Sequence, residues 1–110
     1  FYPLYVQDFS TLYIVEKFSK DDKTAAFRSK YGITHDMVVE ELLNLDCSNY
    51  CCTDIDDNPA FTGEVWIFGQ YLQPPLVELP VLVYIKLKLK SRLVCLSFHE
   101  AEYEMHFPYN

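Results

Sequence analysis

The 110-residue chain lacks most features that would take it out of the class of small globular domains. It has no apolar run near the roughly 20 residues a bilayer-spanning helix needs. Its opening stretch, FYPLYVQDFS, has neither the basic segment nor the apolar core of a secretory leader. Cysteine is sparse and clustered: Cys47, Cys51, Cys52 and Cys95 are the only four. That is too few for a secreted disulfide framework. Adjacent Cys51 and Cys52 on a strand would point to opposite faces and serve one small bridge poorly. The expectation is reduced thiols in a cytoplasmic setting. The three glycines (Gly32, Gly63 and Gly69) form no Gly-rich phosphate loop, and no nucleophile elbow is present. Positive charge is also short, with 9 Lys and Arg against 16 Asp and Glu, a net charge of −7. Phosphate attraction is the sequence-independent part of nucleic-acid affinity. A chain of this sign is a poor general binder of nucleic acid, and an RNA role requires a local basic patch.

What the chain does have is apolar matter: 50% hydrophobic residues and 16% aromatic ones. Disordered chains have too little of both to collapse. The length fits a single domain over 1–110, able to bury roughly two-thirds of its unfolded surface. No repeat, linker or low-complexity tract divides it.

The first part reads as helical. In FSTLYIVEKFSKDD, Ser10 can cap a helix carrying Leu12, Val15 and Phe18 at helical spacing. In DKTAAFRSKYG, Asp22 is the cap and Gly32 the stop. In THDMVVEELLNL, Thr34 is the cap, and Val38, Val39, Leu42 and Leu43 give an apolar stripe. After Leu45 the period becomes two. CSNYCCTDI and GEVWIFGQYL read as strands, while PPLVELP is a loop or extended edge because its prolines cannot donate to a ladder. VLVYIKLKLK and RLVCLSFHEA form the clearest strand pair. The aromatic tail EYEMHFPYN is expected to pack, and its alternation of Glu100, Glu102 and Glu104 with Ala101, Tyr103 and Met105 reads as a strand continuing from His99. The predicted class is α+β: about three N-terminal helices on one face of an antiparallel sheet of about four strands.

In the first strand of the pair, Val81, Val83, Ile85, Leu87 and Leu89 alternate with Leu82, Tyr84, Lys86, Lys88 and Lys90. Alternation this strict implies one buried and one accessible face. In the second, Val94, Leu96 and Phe98 form the expected apolar row, with Leu93, Cys95, Ser97 and His99 opposite. A tight turn near Lys90, Ser91 and Arg92 fixes the parity. Tyr84, Lys86, Ser97 and His99 then share the outer face, with His99 opposite Leu82 or Tyr84. Such a face also keeps an exposed sheet soluble and resists edge pairing. A phenol, an ammonium and an imidazole on one face can equally serve proton transfer and phosphate stabilisation.

Other constellations are weaker. The cysteines with His99 or His106 lack the paired knuckles of a zinc site. Asp54, Asp56 and Asn58 have calcium-loop spacing, but Pro59 stands where such a loop needs Gly and Val65 where it needs Glu. These acids are expected to cap a turn before Pro59. His35, in the first turn of a helix, reads as a solvated residue, and His106 as a packed or surface one. Neither metal nor cofactor is expected.

VYIKLKL followed by SFHEAE, after EVWIFGQ and a helix ending in EELLNL, resembles the MqsR-like toxins of bacterial toxin–antitoxin systems, within the wider RelE-like ribonuclease fold. The resemblance runs from about Ile33 to Tyr103. It implies a metal-independent endoribonuclease, an mRNA interferase, neutralised by a cognate antitoxin protein. Carried over residue by residue, it places the family's tyrosine on Tyr84 and its basic residue on His99; the hairpin face adds Lys86 as a catalytic candidate and Lys88, Arg92 and Ser97 as RNA-binding ones. The chain departs from the family at Cys51, where a lysine follows the tyrosine, and at Ile67, where a glutamine follows the tryptophan. Gln70 could replace that glutamine only if its strand bulges. On this reading His99 is the base or acid for 2′-hydroxyl attack on the adjacent phosphate, since imidazole titrates near neutral pH. Lys86 and Arg92 stabilise the phosphate, and Tyr84 positions it or donates a proton. The alternative is a non-catalytic protein-interaction domain of the same fold.

Overall fold

The computed structural model describes residues 13–14, 22–55, 64–89 and 93–110. They form β1 (Tyr13–Ile14), α1 (Lys23–Tyr31), α2 (His35–Leu43), a 3₁₀ turn (Cys47–Asn49), β2 (Tyr50–Ile55), β3 (Glu64–Leu72), β4 (Val81–Leu89) and β5 (Leu93–Glu100). The sheet order is β1-β5-β4-β3-β2. Strands β2 to β5 are antiparallel neighbours, and β1 runs parallel to β5. The fold is α+β with a four-stranded antiparallel sheet, extended at one edge by the two residues of β1.

Two α-helices, not three, occur among the described residues. The segment read as a first helix instead supplies β1, with Tyr13 opposite Val94 and Ile14 opposite Cys95. Leu-Tyr-Ile-Val is rich in strand formers, and pairing with β5 overrides a weak helical spacing. Ser10, Leu12, Val15 and Phe18 lie outside the described residues, as do Asp56, Asn58 and Pro59 of the expected turn.

The other two helices start and stop where the sequence places them. The Asp22 carboxylate accepts from the Ala25 N–H at 3.0 Å. Gly32 ends α1 at φ 64°, a left-handed conformation that costs glycine little. The Thr34 hydroxyl accepts from the Met37 N–H at 3.2 Å. Val38 and Leu42 are buried, but Leu43 is 61% exposed, so the apolar stripe of α2 is narrower than expected. The strand expected at CSNYCCTDI begins only at Tyr50, after the 3₁₀ turn.

Val83, Ile85 and Leu87 of β4 are at most 1% exposed and share one core with Phe27, Val38 and Leu42 from the helices. Helix α1 lies on β5: Phe27 and Phe98 are 6.1 Å apart between ring centroids, and the Thr24 hydroxyl accepts from the Phe98 N–H at 3.1 Å. Burying an aromatic of this size stabilises by roughly 2–3 kcal/mol.

Strand β5 corrects the expected parity. Its register on β4 shifts between Lys86 and Leu87, so that Ser97 faces Lys86 but Cys95 faces Leu87. Leu96 is the extra residue of a β-bulge. The buried residues of β5 are therefore Leu93, Cys95 and Phe98, and not the row Val94, Leu96, Phe98. C-terminal to the bulge the expected parity holds; N-terminal to it the two faces exchange.

The tail also differs from expectation. β5 ends at Glu100, and residues 101–110 are not a strand. They pack across the sheet face that carries Tyr84. A Cβ added at Gly69 would lie 2.7 Å from the Phe107 ring and 3.1 Å from the Met105 sulfur. Gly69 is the seat on which the tail lies, and a side chain there would displace the Phe107 ring. At its far end Tyr109 meets Tyr50, with ring centroids 5.8 Å apart.

Candidate functional site

The outer face of the hairpin brings together four residues singled out from sequence. Tyr84 is directly opposite His99, and Lys86 directly opposite Ser97. The Tyr84 and His99 rings stack, with centroids 5.4 Å apart and planes 18° from parallel. Direct cross-strand partners hold their Cβ atoms about 5 Å apart, which suits two flat rings. The four line a recess of about 170 Å³ together with Glu102 and Tyr103.

The hydrogen bonding of His99 sets its tautomer. Its Nδ1 lies 2.9 Å from the Glu100 carbonyl oxygen. A carbonyl only accepts, so Nδ1 carries a proton and Nε2 of the neutral ring holds the free lone pair. Nε2 is therefore the atom able to take a proton. Tyr84 is its chemical complement. Burial, reinforced by the nearby Tyr103, Cys52, Asp54 and Cys51, pushes its phenol up to about 12. At neutral pH that hydroxyl keeps its proton and acts as a donor. Lys86 is half-buried beside them and supplies positive charge.

Glu102, which lines the same recess, is engaged from the side by α1. Lys23 of α1 donates to both of its carboxylate oxygens, at 2.7 and 2.8 Å. That bond keeps the Glu102 carboxyl below the usual range. The same contact fixes the start of the tail as it leaves β5.

The remaining expected RNA contacts do not all join the site. Lys88 is only 3% exposed and sits opposite Val94, past the bulge. The accessible part of the outer face ends before Lys88. Lys88 therefore cannot meet an RNA phosphate in this conformation. Arg92 lies outside the described residues. Gln70 does not replace the missing glutamine: β3 pairs without interruption from Trp66 to Leu72. Gln70 stays on the helix side, where its amide donates to Glu41. Burial pushes the Glu41 carboxyl upward there, against the lowering effect of the Gln70 bond.

A larger groove of about 780 Å³ runs between the tail and the sheet and shares Tyr84 and Tyr103 with the recess. Cys51, Cys52 and Ile67 form its floor, and Asp54 and Glu104 place two carboxylates along it. His106 is exposed and also lines it. Glu102, Tyr103 and this groove were not anticipated from sequence. Their signal was Gly69, an isolated glycine inside a strand, which marks close approach of another segment.

All four cysteines are free thiols. Burial pushes Cys95 up to about 12, leaving it inert, while Cys51 and Cys52 lie at the β2 irregularity between Tyr50 and Cys52. Among the described residues no helix is long and apolar enough to cross a membrane, and no three His, Cys, Asp or Glu side chains converge as a metal site. No family model, curated protein or solved structure matches the chain.

Proposed function

We propose that the chain is a metal-independent endoribonuclease of the RelE-like class, a toxin neutralised by a cognate antitoxin. The observation that carries this reading is the stacked Tyr84–His99 pair. It sets a proton acceptor, His99 Nε2, beside a protonated phenol, with the Lys86 ammonium two residue pairs further along on the same face of the hairpin. In the reaction Nε2 takes the proton of a ribose 2′-hydroxyl. The 2′-oxygen bonds to the adjacent phosphorus, and the bond from phosphorus to the 5′-oxygen breaks. Tyr84 donates a hydrogen bond to the phosphate or a proton to the departing oxygen. Lys86 offsets the charge that builds on the phosphoryl oxygens, where a positioned cation is worth most. Ser97 adds a hydroxyl on the same face. The test is incubation of single-stranded RNA with the protein in excess chelator. Cleavage leaving 2′,3′-cyclic phosphate ends supports the reading.

A second reading is favoured by a separate observation: the groove that leads to Tyr84 carries Asp54 and Glu104, which repel phosphate. With Lys88 buried and Cys51 in place of a cation, the same face would then hold a protein partner without catalysis. Binding of a basic partner protein, with no RNA cleavage, would support it.

A further inference from the structure

On the helix side of the sheet, at the β2–β3 edge, lies a second recess of about 300 Å³. It is lined by Cys47, Tyr50, Thr53, Trp66, Phe68 and Tyr109. By strand alternation Trp66 and Phe68 point away from the face that carries Gly69 and Tyr84, so this recess is separate from the His99 site.

Its aromatic walls come from three segments. Tyr50 belongs to β2, Trp66 and Phe68 to β3, and Tyr109 to the tail. The rings stand at angles to one another and do not form a flat stack. Tyr50 and Phe68 meet at 76° with centroids 5.9 Å apart, and Tyr50 and Tyr109 at 39° and 5.8 Å. Phe68, 1% exposed, forms the floor, and Tyr109, 63% exposed, the outermost wall. The Tyr50 hydroxyl is bonded to the Thr53 hydroxyl, which holds the Tyr50 ring in place.

Among the described residues, no charged side chain lines the recess. An anion would find no counter-charge, and the net charge of −7 opposes its approach. A cation gains from that field and from the negative faces of the rings. A strongly hydrated cation would lose its water to walls that cannot replace it. A methylated ammonium avoids this cost, because its charge is spread over apolar methyl groups.

We propose that this aromatic recess binds a small quaternary ammonium solute of the size of choline. The positive head would sit among Tyr50, Trp66 and Tyr109 over the Phe68 ring.

The chain has 1 tryptophan, Trp66, so its fluorescence reports on this recess directly. The full chain is titrated with choline at constant ionic strength, and in parallel with 3,3-dimethylbutan-1-ol, the neutral isostere. The expected result is a saturable change in Trp66 emission with choline, and binding of the isostere weaker by roughly tenfold. Tyr109→Ala should weaken choline several-fold, and Tyr109→Phe should retain it. Tyr109 is largely exposed, so neither variant disturbs the core. Equal binding of isostere and choline would show a pocket that reads apolar shape alone, and would overturn the proposal. So would the absence of any saturable response, or an unchanged affinity in Tyr109→Ala.

Discussion

Tyr84 and His99 face each other directly across β4 and β5, and their rings stack at 5.4 Å. One is a proton donor at neutral pH and the other presents a lone pair at Nε2.

The first prediction concerns Tyr84 and alkaline stability. Burial raises its pKa from 10.0 to about 12 in the folded chain. Below about pH 10 the phenol is neutral in both states, and its contribution is complete. Between 10 and 12 the unfolded chain loses the proton first, so stability falls as pH rises. Tyr84→Phe has no such proton. Its melting temperature should decline less steeply over that window than the parent's. Identical slopes would show that the phenol is not held in the protonated state.

The second separates two lysines. Lys86 lines the recess, and Lys88 is buried. Lys86→Ala should weaken RNA binding and reduce the slope of log K against log salt by about 1. Lys88→Met, which keeps an apolar stem of similar length, should leave the slope unchanged. An equal loss of slope in both variants would mean that the hairpin face opens further than the structure shows.

A third tests the seat of the tail. Gly69→Ala puts a methyl group 2.7 Å from the Phe107 ring. The ring end can swing aside, so the expected stability loss is only about 1–2 kcal/mol. The ring-proton NMR shifts of Phe107 and Tyr109 should nonetheless move clearly. Unchanged shifts there would show that the tail does not depend on Gly69.

Much of this arrangement was legible in the sequence, and the exceptions have physical causes. The strict aliphatic alternation from Val81 to Leu87 allowed only one inner face, which placed Tyr84 and His99 on the outer one. Asp22, Thr34 and Gly32 announced both helices through their capping chemistry. The bulge at Leu96 left no such mark. Leu93, Val94, Cys95 and Leu96 are all apolar, so either face of that stretch could be buried, and a one-residue insertion changes no pattern. The burial of Lys88 was hidden too, because alternation in β4 puts it on the same face as Tyr84 and Lys86 and says nothing of what covers that face. β1 was missed because Leu12, Val15 and Phe18 have helical spacing while their neighbours are strand formers. The tail path depended on contacts distant in sequence, for which only Gly69 gave notice.

The most direct measurement compares parent and His99→Ala on the same single-stranded RNA in excess chelator, with the cyclic phosphate ends quantified. A positioned base contributes roughly 100- to 10,000-fold. The variant should lose that much rate while keeping the parent's melting temperature within a few degrees, because His99 lies on the outer face and only its ring is removed. Tyr84→Phe should lose less, since the ring stack remains. Equal cleavage by parent and His99→Ala would contradict the assignment of His99, and a parent that leaves the RNA intact would contradict the ribonuclease reading itself.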